Sequence, residues 1–225
     1  RVVARDGAAV FPEPLDAAVT STDLITGEVR TWKDSIITNV RGQYQHVFWS
    51  DFTAEHGHRY RVEVLRPSDG ALSFAEVGIP APVTVEVEEP ERALLRVTLH
   101  GERFRMVTPD VRYLWDAPLR DDVITYHGSE RETEEGWQVD ISMRRDFGIL
   151  HDRAYPGALP HCGRKPLAEM WLTLIVGVPA WDPPGGIIDL DEVSHPGVMM
   201  NVQNGYGFIG GGYRLTERLR PSGAS

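Results

Sequence analysis

The sequence predicts an all-β protein, and three observations carry that expectation. Apolar side chains recur at every second residue in short runs, Gly, Pro, Asn and Asp bound most of those runs, and helical periodicity is weak throughout. A period of two puts alternate side chains on opposite faces of an extended chain, one toward a core and one toward water. At 225 residues, 41% hydrophobic and 25% charged, the chain is long enough to bury a core without disulfides or metals. No run approaches the roughly 20 apolar residues of a membrane-spanning helix. Thirty-three acidic against 23 basic side chains leave a net charge of -10, which argues against nucleic acid as a partner, because that binding needs clustered positive charge.

Residues 17–24 and 43–49 form the first extended runs. In Arg59-Tyr60-Arg61-Val62-Glu63-Val64-Leu65, Tyr60, Val62 and Val64 alternate with charged neighbours, the pattern of a half-buried strand. Pro67-Ser68-Asp69-Gly70 follows with turn chemistry, since proline presets φ and glycine accepts positive φ, and residues 71–77 resume the alternation as the second arm of a hairpin. The same period recurs with Val83, Val85 and Val87, with Leu95, Val97 and Leu99, and with Trp137, Val139, Ile141 and Met143. Residues 111–115, 123–126, 170–178 and 206–213 complete about a dozen strands, the arithmetic of sandwiches. The one helical signal, at 144–155, is a few turns containing Gly148 and ended by Pro156, so little helix is expected.

Ile79-Pro80-Ala81-Pro82 and Glu88-Glu89-Pro90-Glu91 punctuate the middle of the chain. They suggest an N-terminal β-sandwich over residues 1–88 and a second β-rich unit over 89–225 that ends in a glycine-rich strand, with one continuous sandwich as the alternative. The single cysteine, Cys162, rules out an internal disulfide.

Three stretches together resemble a known family. Leu15-Asp16-Ala17-Ala18-Val19-Thr20 followed by Thr26-Gly27-Glu28 is similar to the family's opening strand and turn. His58-Arg59-Tyr60-Arg61-Val62-Glu63-Val64, then Asp69-Gly70, Ala75 and Ile79-Pro80, resembles a Tyr-containing strand, an Asp-Gly turn and a strand ending in proline, a pattern shared by Ig-like and transthyretin-like modules. Pro196-Gly197-Val198-Met199-Met200-Asn201-Val202-Gln203-Asn204-Gly205-Tyr206-Gly207-Phe208-Ile209-Gly210 resembles the closing signature, Asn-hydrophobic-x-Asn-Gly leading into a Gly-aromatic-x-Gly strand. The family is that of the Bacteroidota surface lipoproteins catalogued as domain of unknown function 4249. The resemblance implies an exported protein with an Ig-like or transthyretin-like sandwich, often considered alongside TonB-dependent outer-membrane transporters, and it carries over no catalytic residue. The lipid-modified cysteine of that family has no counterpart in these 225 residues, so a lipid anchor is expected from the resemblance alone.

The closing motif also has a physical reading. Asn201, Asn204 and Gly205 suit positive φ or side-chain-to-backbone turn bonds, and Gly207, Gly210, Gly211 and Gly212 suit bulges or a close backbone approach. It is no phosphate loop, because the Lys-Ser/Thr ending is missing.

Four places invite chemistry. His56 and His58, two apart at the start of a strand, share a face and could chelate a metal with His46 or Glu55; the competing reading is a solvated turn. The loop from Asp182 through Asp189, Asp191 and Glu192 concentrates carboxylates of the kind calcium prefers, without the spacing of a defined calcium loop. Trp181, between Ala180 and Asp182, is the tryptophan expected to be exposed, where a sugar ring or a partner surface would meet it. His161-Cys162 places an imidazole beside a thiol, but catalytic cysteines draw their histidine from elsewhere in the fold.

The expectation is therefore a non-enzymatic, exported cell-surface or outer-membrane binding or assembly module, with no required cofactor and a protein partner. Its candidate ligand contacts are Trp181, Asp182, Asp189 and Asp191, and His56 and His58 are its candidate metal ligands. A glycan-binding module or glycan-active hydrolase using loop tryptophan and carboxylates is the alternative from another class, and a structural subunit of a surface filament is the third.

Overall fold

The alternation becomes strand pairing in the structure, a computed structural model that describes residues 2–3, 13, 15–38, 42, 44–115, 120–126, 128–154, 167–181 and 199–220. The fold is all-β, with antiparallel pairing throughout four sheets and one α-helix among the described residues. The chain forms two compact units that divide between Ile79 and Pro80, with residues 199–211 in the first and 212–220 in the second. The expectation drew its line after residue 88. The strand Thr84–Glu91 instead ladders onto Leu94–His100, with Val85 opposite Leu99 and Val87 opposite Val97, and so falls wholly in the second unit.

The first unit contains β1 (Val2–Val3), β2 (Ala18–Asp23), β3 (Val29–Thr31), β4 (Lys33–Thr38), β5 (Tyr44–Trp49), β6 (Arg59–Arg66) and β7 (Ala71–Gly78). One sheet has the order β3-β2-β6-β7 and the other β1-β5-β4. Val19 and Val62 from the first sheet meet Phe48 from the second, with Trp32 and Ile209 packed around them, so the two sheets share one core. Opposite faces of β2 and β6 carry polar side chains, as the period requires, and the Arg61 guanidinium lies 3.8 Å from the centre of the Phe74 ring on the outer side. The β6–β7 turn is the anticipated hairpin: Gly70 has φ +73°, and Asp69 accepts from Arg66 Nε at 2.9 Å and from Ala71 N at 3.0 Å.

Residues 206–211 correct the expected glycine-rich strand, because they join no ladder; the closing strand begins at Gly212 and belongs to the second unit. Two close contacts explain the run. Phe74 and Gln203 form an isolated bridge with N–H to O distances of 3.1 and 2.7 Å, and a Cβ on Gly211 would sit 1.9 Å from the Gly78 carbonyl oxygen. Asn201 takes the side-chain role its type suggested: its amide donates to the Ile209 carbonyl at 2.8 Å and its oxygen accepts from Ile209 N at 2.9 Å, closing the loop on itself.

The second unit contains β8 (Thr84–Glu91), β9 (Leu94–His100), β10 (Arg105–Trp115), β11 (Arg120–Thr125), β12 (Arg131–Thr133), β13 (Gly136–Ser142), α1 (Met143–Ala154), β14 (Leu167–Gly177) and β15 (Gly212–Leu219). Sheets ordered β12-β13-β9-β8 and β11-β10-β14-β15 bury Val97, Leu99, Val139 and Ile141 of the one against Met106, Val111, Tyr113 and Leu172 of the other. Pro109 is tolerated inside β10 because a register shift between Val107 and Asp110 frees it from the ladder.

Helix α1 continues directly from β13 and brings Asp146 to 0% exposure. The Tyr113 and Tyr126 hydroxyls donate to Asp146 Oδ2 at 2.5 and 2.6 Å, and Arg145 reaches Oδ1 at 3.2 Å. Burial, with the carboxylate as the second cause, pushes both tyrosine hydroxyls far above their ordinary pKa and keeps them protonated donors.

Candidate functional site

The β2–β3 connection shows how local chemistry builds a rigid tip. Asp23 ends β2 with its side chain on the core side, and its Oδ1 accepts from the Ile25 and Thr26 amides at 2.8 and 3.3 Å. Gly27 N donates to the Asp23 carbonyl at 2.8 Å, and Glu28 N donates to Thr26 Oγ1 at 3.2 Å. The other carboxylate oxygen of Asp23 accepts from His58 Nδ1 at 2.8 Å, tying the turn to the first residues before β6. These bonds spend the polar groups of the turn on the turn itself, and its apolar residues face water: Ile25 is 63% exposed and Leu24 43%.

Asp23, Thr26 and Glu28 also form one wall of a cleft of about 200 Å³. Arg30 stands beside them, bonded to Glu28 at 2.6 Å and stacked 4.9 Å from the centre of the Phe52 ring. Phe52 and Tyr60 lie 5.9 Å apart, centre to centre, and Glu55 completes the rim, its amide donating to the Tyr60 hydroxyl at 2.8 Å. Among the described residues the cleft thus joins three carboxylates, one guanidinium and two aromatic rings.

The His58 hydrogen bond, with the two backbone amides behind it, holds the Asp23 carboxyl well below the usual carboxylate range, at about 2. A folded-state value below the unfolded one contributes stability that is present above 3.8 and lost as the pH falls toward about 2. Asp23→Asn is therefore expected to destabilise the first unit at neutral pH, with the gap from the native chain closing across that acid window. Paired urea denaturation curves down the pH series measure it, and a gap independent of pH would refute the assignment.

The residues singled out in the sequence fall in three places. His58 bonds to Asp23, while His56 is exposed in the turn beside it. His46 sits in β5, its ring nitrogens facing the Asp34 carboxylate at 2.9 Å and the Glu13 carbonyl at 3.0 Å. Among the described residues no three His, Cys, Asp or Glu side chains gather as a metal set. Trp181, expected to be exposed, is half-buried: its ring lies against Gly177, where a Cβ would come within 3.1 Å of Trp181 Cε3. Asp182, Asp189, Asp191, Glu192, His161 and Cys162 lie outside the described residues.

Asp23, the residue that organises the tip, was missed. Its signal was Asp followed four residues later by Gly, a turn signature lying inside the opening stretch, with two apolar residues where a turn ordinarily carries polar ones. No protein-family model matches the chain, and no curated protein matches it.

Proposed function

We propose that the chain is a non-enzymatic binding or assembly module, exported and held at the cell surface or outer membrane, whose first unit is an Ig-like or transthyretin-like sandwich that recognises a protein partner through the β2–β3 tip. The observation that carries this reading is the pairing of exposure with rigidity at Leu24 and Ile25. Apolar side chains on a preorganised turn lose little conformational entropy on docking, which is how sandwich-end loops make contacts. The resemblance to surface lipoproteins supplies the setting, and an outer-membrane transporter or another surface subunit is the partner class it suggests.

Affinity capture of the tagged protein from membranes of its own host tests the reading, with Ile25→Asp run in parallel. A stoichiometric membrane partner should accompany the native chain and fall at least about ten-fold with the variant, because a charge at the centre of a contact must be desolvated. Recovery of the protein alone, or equal capture by both forms, would overturn it.

A further inference from the structure

We propose, resting on the binding-module reading, that the cleft beside the tip takes a basic side chain of the partner, arginine or lysine, while an apolar neighbour of that side chain seats on Leu24 and Ile25. Three features of the cleft argue for it. Its charge is one-sided: among the described residues Asp23, Glu28 and Glu55 line it with one guanidinium, Arg30, and because Asp23 is bonded to His58 and Glu28 to Arg30, Glu55 carries the charge left to a ligand. Glu55 is exposed, and its carboxylate has no hydrogen-bond or ion-pair partner among the described residues. The volume, about 200 Å³, is below the roughly 300–1,000 Å³ of pockets for free small molecules and suits one side chain reaching in from a larger body.

Charge complementarity makes the occupant specific. A chain of net charge -10 steers a basic surface toward itself, and the cleft fixes where the basic group goes. Phe52 and Tyr60 add aromatic surface along which the methylene stem of arginine or lysine packs, in the manner of Arg30 on Phe52. A ligand presenting carboxylate or phosphate would meet the Glu55 carboxylate, which no described partner offsets, and be repelled.

The test uses the full chain and two probes: an acetylated, amidated hexapeptide Gly-Leu-Leu-Arg-Leu-Gly, and the same peptide with citrulline for arginine, which keeps the shape and removes the charge. Amide shifts in residues 23–30 and 52–55 should saturate with the arginine peptide at low salt, and the citrulline peptide should bind about ten-fold more weakly. Glu55→Gln should weaken the arginine peptide about three-fold or more, while Glu91→Gln, an equal change of net charge on exposed β8, leaves it unchanged. Equal affinity for the two peptides, saturation elsewhere, or none at the tip would overturn the basic-side-chain assignment. If capture from membranes still depends on Ile25, the binding reading survives that result; if capture ignores Ile25, the reading itself fails.

Discussion

Asp146→Ala is expected to cost the second unit about 2–6 kcal/mol, the sum for two buried hydroxyls that lose their acceptor. The substitution takes away the acceptor of two buried hydroxyls, Tyr113 at 2.5 Å and Tyr126 at 2.6 Å, and the counter-ion of Arg145. Each orphaned hydroxyl costs about 1–3 kcal/mol, because neither can recover water. Hydrogen exchange in peptides covering β10, β13 and α1 localises the loss, which should appear there and spare the first unit. The triple variant with Tyr113→Phe and Tyr126→Phe should recover much of the stability, since no buried hydroxyl is then left without an acceptor. A single-variant loss below about 1 kcal/mol, or a triple variant no better than the single, would sink the account.

Gly211→Ala should be nearly as damaging to the first unit. The new methyl would lie 1.9 Å from the Gly78 carbonyl oxygen and 2.7 Å from Val77 Cγ2, and the nearer of these is backbone at the end of β7, which cannot rotate aside. Overpacking of this kind costs about 1–3 kcal/mol and occasionally more. Gly148→Ala gives the contrast: nothing lies within 4 Å of its Cβ position in α1, so gaining a helix-favouring residue should stabilise by about 0.5–1 kcal/mol. Denaturant midpoints of the two variants should therefore move in opposite directions. Movement in the same direction would show that the loop can yield where the native contact is closest.

What could be read from the sequence depended on how cleanly each element separates its two faces. In β6, Tyr60 and Val62 are buried between half-buried or exposed charged neighbours, and the period of two was plain. In β4 the adjacent Ile36 and Ile37 are both half-buried, so no alternation marks the strand, and it went unseen. The glycine-rich run is expected as a strand from the closing signature; in the structure Gly205 and Gly211 are spent on close approach, Gly207 takes φ +115° in open space, and Tyr206 stays exposed. The few helical turns expected at 144–155 are found over Met143–Ala154, with Gly148 accommodated inside the helix. The candidate site was not, because its meaning lies in a bond between Asp23 and a histidine 35 positions later, which no local pattern encodes. Asp146 looks in the sequence like an ordinary acid in a helix's first turn; two tyrosines from other parts of the chain make it a core residue.

The route of the chain sets an order of assembly during synthesis. Residues 2–79 leave the ribosome with all seven of the first unit's described strands, yet Ile209, which packs on Val19, Phe48 and Val62, and Gly211, which closes against Gly78, follow only after the described second unit through β14 has been made. The first sandwich is thus a nascent fold that waits for its last piece. Until that piece arrives, its core and the end of β7 are open to chaperones or to pairing with another growing chain.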